Sequence, residues 1–242
     1  PQELGEVAQA IGQLRWRFPE RRSRRSVAVR HNRGAVDIQR TMRTAIRSEG
    51  EALRLWKKSK GTRTRRIVLL IDISGSMEDY ARQLIRFAHV AVTAQQRIEA
   101  FTIGTRLTRI TRELSSRDPD AALRHAAANV ADWSGGTRLG ETLAEFNDRW
   151  GLRGMARGST VVILSDGWDR GDPAELAEQM QRLQRVSHRL VWVNPLKHTP
   201  GYAPLARGMA AALPYVDDFR EGHSLASLDS LAVVLQDQQE VR

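Results

Sequence analysis

Three apolar runs set the frame of the chain. Ile67-Val68-Leu69-Leu70-Ile71, Val161-Val162-Ile163-Leu164 and Leu190-Val191-Trp192-Val193 show no polar alternation, the pattern of strands buried on both faces. Ile98–Gly104 alternates as a strand, with Leu107–Thr111 as its hairpin partner. Between these runs the period changes to that of a helix. Glu78–Arg97 carries Leu84, Phe87, Ala88 and Ala91 on one face, and a further helix is predicted over Pro119–Val130. A glycine-rich segment, Trp133–Leu143, feeds a helix running to about Trp150. Asp172-Pro173 opens another helix that ends near Val186, with proline at the first helical position. Tyr202–Ala212 is a helix candidate, Tyr215 and Val216 a short edge strand, and Leu225, Leu228, Leu231, Val234 and Leu235 line a final helix. Strands alternating with helices at this spacing predict an α/β fold, doubly wound, with a mostly parallel central sheet and helices on both faces.

The N-terminal quarter follows a different pattern. Leu4, Val7, Ala8, Ile11 and Leu14 fit a short amphipathic helix, after which the arginine-rich stretch Arg15–Arg25 shows no period. A second helix is expected from Asp37, a capping residue, with Ile38, Met42 and Ile46 as its stripe and Gly50 at its end. Leu53, Leu55 and Trp56 suggest a short strand before a basic linker, Lys57–Arg66. The expected division is a basic extension over 1–66 and an α/β domain over 67–242.

Charge reinforces that division. Residues 1–66 hold 18 Lys and Arg against 6 Asp and Glu, whereas the remaining residues hold 20 against 22. A basic surface for a charged partner follows, either nucleic acid or an acidic protein. No apolar run approaches the ~20 residues of a membrane-spanning helix, and no signal segment opens the chain. There is no cysteine, which agrees with a reducing compartment, and a cytoplasmic protein is expected.

The first buried run ends in Asp72-Ile73-Ser74-Gly75-Ser76, an acid and two hydroxyls at alternate positions around a glycine that permits a turn. The second ends in Ser165-Asp166-Gly167, and Thr137 follows Gly135-Gly136. In open α/β sheets, ligands bind beyond the carboxyl ends of the strands. Asp72, Ser74, Ser76, Thr137 and Asp166 therefore form one candidate site. Two carboxylates and three hydroxyls suit a hard divalent cation, Mg²⁺ first and Mn²⁺ second. The six scattered histidines carry no zinc spacing, and neither G-x-S-x-G nor H-E-x-x-H occurs. A phosphotransferase of the haloacid dehalogenase type requires a second acid where this chain has Ser74, so a Mg²⁺-dependent hydrolase is only a minor alternative. Trp133 and Trp168 flank ligand-bearing loops and are candidates for an aromatic rim.

This three-part set resembles the metal-ion-dependent adhesion site of von Willebrand factor type A (VWA) domains, with all five positions matched in the family's order. The resemblance implies that Ser74, Ser76 and Thr137 contact the metal, that Asp72 and Asp166 act largely through water, and that a partner's acidic side chain completes the shell. The basic segment leading into Arg65-Arg66-Ile67, together with Trp192-Val193-Asn194-Pro195 and Gly208–Asp217, is similar to the bacterial CoxE-like proteins. That resemblance covers about residues 30–236. It implies an adaptor without catalytic residues, working with a MoxR-type AAA+ ATPase to mature or activate a molybdenum-hydroxylase oxidoreductase of the carbon monoxide dehydrogenase type. Nucleic-acid binding through the arginine-rich segment is the alternative.

Overall fold

The computed structural model describes residues 20–29, 34–48, 55–94, 97–129, 136–199, 201–222 and Ser227. The expected helix of Leu4–Leu14, the first part of the arginine-rich stretch, Gly50, Leu53, Trp133, Gly135 and the final helix apart from Ser227 lie outside them. The chain divides into two compact units, one of them Glu20–Thr64.

That unit contains β1 (Glu20–Val29), β2 (Ala35–Val36), α1 (Ile38–Arg47) and β3 (Lys57–Thr64), its sheet ordered β1-β3-β2 and antiparallel throughout. Two expectations are corrected here. The arginine-rich stretch is a strand from Glu20 onward, and Lys57–Thr64 is its partner rather than a linker, paired from Glu20↔Thr64 to Val29↔Lys57 around a bulge between Arg22 and Ser26. Trp56 precedes that strand instead of belonging to one, and its backbone is tied to α1: its N–H donates to Thr41 Oγ1 (3.0 Å) and its carbonyl accepts from Asp37 N–H (2.7 Å). Asp37 caps α1 through Arg40 N–H at 3.2 Å. The helix buries Thr41 and turns its apolar stripe outward, with Ile38, Met42 and Ile46 exposed by 64%, 61% and 78%.

The other unit is built on a six-stranded sheet ordered β6-β5-β4-β7-β8-β9. Its strands are β4 (Ile67–Asp72), β5 (Ile98–Ile103), β6 (Leu107–Arg109), β7 (Thr160–Leu164), β8 (Arg189–Asn194) and β9 (Asp218–Glu221). All pairings are parallel except the β5–β6 hairpin. The helices are α2 (Glu78–Ala94), α3 (Pro119–Asn129), α4 (Leu139–Phe146), α5 (Pro173–Val186) and α6 (Arg207–Ala212). Beyond Phe146 the chain continues as a π-helix to Met155, longer than the periodicity indicates, with Asn147 Nδ2 donating to Gln179. The edge strand lies at Asp218–Glu221, while Leu213–Tyr215 form a 3₁₀ turn, which corrects the strand expected at Tyr215. Among the described residues no helix is long and apolar enough to cross a membrane.

Each face of the sheet carries its own core. Ile67, Leu69 and Ile71 pack with α2 residues such as Leu84 and Phe87 on one side. Val68, Leu70, Phe101, Phe146 and Trp192 fill the other. This double burial is why β4, β7 and β8 read as unbroken apolar runs. The chain leaves β4 for β5 on one side and later returns to β7 on the other. The order therefore reverses between β4 and β7, and that reversal opens a crevice at their carboxyl ends.

Phe101 is fully buried and meets Phe146 edge-on at 5.3 Å between ring centroids. Phe101→Ala is expected to cost about 3–5 kcal/mol of stability, measured as a lower urea midpoint for the cooperative unfolding of this unit.

Candidate metal centre

Asp72 is the last residue of β4 and has no solvent exposure. After it the chain turns through a short 3₁₀ segment, Gly75–Met77, and Ser74 N–H bonds back to Asp72 Oδ1 at 2.9 Å. The turn leaves the hydroxyls of Ser74 and Ser76 3.3 Å apart. Thr137, buried just before α4, donates its hydroxyl to the same Asp72 Oδ1 at 2.9 Å. Asp72, Ser74, Ser76 and Thr137 thus share one spot. Asp166 follows β7 on the neighbouring loop, close enough for its charge to act on Asp72. Its Oδ1 accepts Trp168 N–H at 2.9 Å, while its buried Oδ2 has no hydrogen-bond partner among the described residues.

Two residues that the pattern along the chain does not flag complete the arrangement. Ser165 donates its hydroxyl to Asp72 Oδ2 at 2.6 Å and accepts Gly167 N–H at 3.0 Å. Asp169 Oδ1 accepts the N–H groups of Leu139 (2.9 Å) and Gly171 (3.0 Å), linking the start of α4 to the loop after β7. Ser165 occupies the strand-end position beside the acid, a place where a hydroxyl can reach a neighbouring strand end. Asp169 carries no comparable signal, since its partner lies 30 residues away.

The base of the site is anchored in the core. Trp192 Nε1–H donates to the Ser165 carbonyl (2.8 Å) and Asn194 Nδ2–H to the Asp166 carbonyl (3.0 Å). Gly167 adopts φ +80°, and a Cβ there would come within 2.8 Å of Met209 Cβ, so the turn after Asp166 requires glycine. Trp168, expected as part of a rim, is 65% exposed and lines a cleft of about 440 Å³ above the site.

Burial pushes the Asp72 carboxyl up to about 6, against the opposing effect of its hydrogen bonds to Ser165 and Ser74, and the charge of Asp166 adds to the rise. A buried carboxylate to which no cationic side chain bonds among the described residues, a second carboxylate with one oxygen orphaned among them, and three hydroxyls fit a hard divalent cation. Among the described residues no group of three or more His, Cys, Asp or Glu offers a competing site of a softer kind.

The chain matches the family model described as VWA domain containing CoxE-like protein, over residues 7–228. No curated protein matches it. Solved structures with a similar fold include a von Willebrand factor type A protein from Catenulispora acidiphila, at 16% identity and a TM-score of 0.47, covering 74% of this chain and 43% of that one. Proximal thread matrix protein 1 from the mussel byssus, with a zinc-occupied MIDAS motif, gives 13% and 0.44 over 72% and 47%. Manganese-loaded TRAP protein of Plasmodium vivax gives 20% and 0.39 over 54% and 56%. The chain spans less than half the length of the first two.

Two outcomes are expected in metal-free buffer. Ser165→Ala removes the donor to Asp72 Oδ2 and should cost about 1–3 kcal/mol at neutral pH by urea denaturation. Asp72 binds its proton more tightly in the folded chain, at about 6, than its ordinary 3.8. Its contribution to stability is therefore complete below the lower value and lost as pH rises through the upper one. Asp72→Asn should abolish that decline, so the stabilities of the two proteins diverge on moving from about pH 4 to pH 7.

Proposed function

The chain belongs to the CoxE-like family of VWA-domain proteins, and on that premise we propose that it is a non-enzymatic, metal-dependent adaptor that captures an acidic side chain of a partner protein. The observation that carries this reading is the buried Asp72 carboxylate, ringed by the hydroxyls of Thr137 and Ser165 and without a cationic partner among the described residues, beneath an open cleft. Ser74, Ser76 and Thr137, with Asp72 and Asp166 behind them, would hold Mg²⁺, or Mn²⁺ in its place. With the cation bound, the site offers a coordination position to an oxygen of a partner's carboxylate.

The chain's own residues keep that site in register. Ser165 orients Asp72, Asp169 ties the Thr137 loop to the Asp166 loop, and Gly167 lets the chain turn away beneath them. Among the described residues no histidine lines the cleft, and the lining Asp169 has its Oδ1 engaged by backbone N–H groups and its Oδ2 buried from solvent. A binding role accounts for this lining better than hydrolysis does, because hydrolysis calls for a base aimed at a water.

Membership of the family supports a MoxR-type AAA+ ATPase as one partner, and the target would be an oxidoreductase of the molybdenum-hydroxylase type, which the adaptor would bring together with the ATPase in maturation or activation. The unit of residues 20–64 would provide the second contact. It carries 14 Lys and Arg against 4 Asp and Glu, equal to the net +10 of the whole chain. The exposed Ile38, Met42 and Ile46 favour an acidic protein surface over nucleic acid there, since a phosphate backbone offers nothing to cover an apolar stripe.

Capture is tested by pull-down of the ATPase or target with Mg²⁺ and with EDTA. Asp72→Ala and Ser74→Ala are each expected to reduce Mg²⁺-dependent capture to the EDTA level while circular dichroism stays unchanged. Capture that survives both substitutions and EDTA would show the metal-dependent reading to be wrong.

A further inference from the structure

The wall of the cleft carries chemistry that a single captured carboxylate does not use. Arg170 lies directly over Gly136: a Cβ on that glycine would fall 2.8 Å from the Arg170 Cδ, Nε and Cζ atoms. Its backbone N–H donates to the Thr137 carbonyl at 3.1 Å, which ties the two loops together, and the side chain lies over the residue that precedes Thr137. Arg207, at the start of α6, lines the same cleft. Both side chains are exposed, and among the described residues neither forms an ion pair.

The apolar surface points to the same place. Within this unit only two large hydrophobic side chains are exposed among the described residues, Trp168 at 65% and Leu205 at 84%, and both line this cleft. Isolated exposed apolar groups need no explanation, but a pair meeting in one cleft between two free cations marks a contact surface.

Charge determines what fits. A divalent cation is balanced by Asp72 and Asp166, and Asp169, with Oδ1 on backbone N–H groups and its buried Oδ2 unpartnered among the described residues, offsets one of the two arginines. One guanidinium charge then remains in excess, and a carboxylate bound to the cation leaves the N–H donors of Arg170 and Arg207 unused, so a second carboxylate is needed to engage them. A guanidinium pairs with a carboxylate through charge-assisted, often bidentate, hydrogen bonds. In an extended segment, side chains two residues apart project to the same side about 7 Å apart.

We propose that the cleft recognises a di-acidic segment of a partner protein, one carboxylate going to the cation and a second to Arg170 and Arg207, with a neighbouring apolar side chain against Trp168 and Leu205. This rests on the metal-dependent capture reading and makes the two arginines its specificity determinants.

The probe is an acetylated and amidated peptide, Gly-Asp-Gly-Glu-Leu-Gly, titrated calorimetrically into the full chain in Mg²⁺ and in EDTA. It is compared with versions carrying Gln for Glu or Gly for Leu. In Mg²⁺ the parent is expected to bind about tenfold more tightly than the Gln version. Arg170→Gln with Arg207→Gln should erase that difference and leave the Gln version unchanged, with the melting temperature showing that the fold is intact. Trp168→Ala should erase the advantage of leucine, about threefold. Equal binding of parent and Gln peptides, a difference that persists without the arginines, or no binding by any peptide overturns the proposal. The EDTA arm separates the two readings. Binding that needs Mg²⁺ but ignores the arginines sinks this inference and spares metal-dependent capture, whereas arginine-dependent discrimination that persists in EDTA sinks metal dependence and, with it, the assignment of the first carboxylate to the cation.

Discussion

The carboxylate of Asp72 is fully enclosed at the point where the sheet reverses its order, and among the described residues no cationic side chain bonds to it. Burying an ionised carboxylate without a counter-charge is costly enough that the group either takes up a proton or is surrounded by donors. Here the donors arrive from three separate segments: Ser74 N–H, Thr137 Oγ1 and Ser165 Oγ. The conformations of three loops are therefore set by one side chain. The core bonds from Trp192 and Asn194 to the carbonyls of Ser165 and Asp166 fix the floor against which those loops rest.

Much of this unit was legible along the chain because its strands are buried on both faces. A doubly buried strand must be apolar at every position, and Ile67–Ile71, Thr160–Leu164 and Leu190–Val193 are nearly so. The same logic placed Asp72 and Asp166 at strand ends, where an acid interrupts an apolar run. Ser165 and Asp169 were hidden because their partners are distant in sequence, and a serine or aspartate in a loop is ordinary by itself. The edge strand Asp218–Glu221 was missed for a related reason. It is only half-buried and mostly charged, so neither apolarity nor alternation marks it.

The sheet of residues 20–64 shows the opposite limit. β3 reads Lys-Lys-Ser-Lys-Gly-Thr-Arg-Thr, with no position fully buried, so no hydrophobic face exists to produce a period of two. Backbone pairing with β1 makes it a strand where side-chain pattern suggests a linker. The α1 stripe was located correctly by its spacing, yet spacing alone could not say which way it faces. The helix buries Thr41 instead.

The concentration of charge in residues 20–64 has a kinetic meaning. A net positive charge of this size attracts an acidic partner over a distance comparable to the Debye length, about 8 Å at physiological salt. Encounter rates set in this way fall as salt rises. The metal centre of the other unit acts at contact, and its Asp72, Thr137 and Asp166 are buried, where salt screens poorly. The proposed adaptor would thus separate finding a partner from holding it: association would respond to ionic strength through one unit, and residence time to the short-range chemistry of the other.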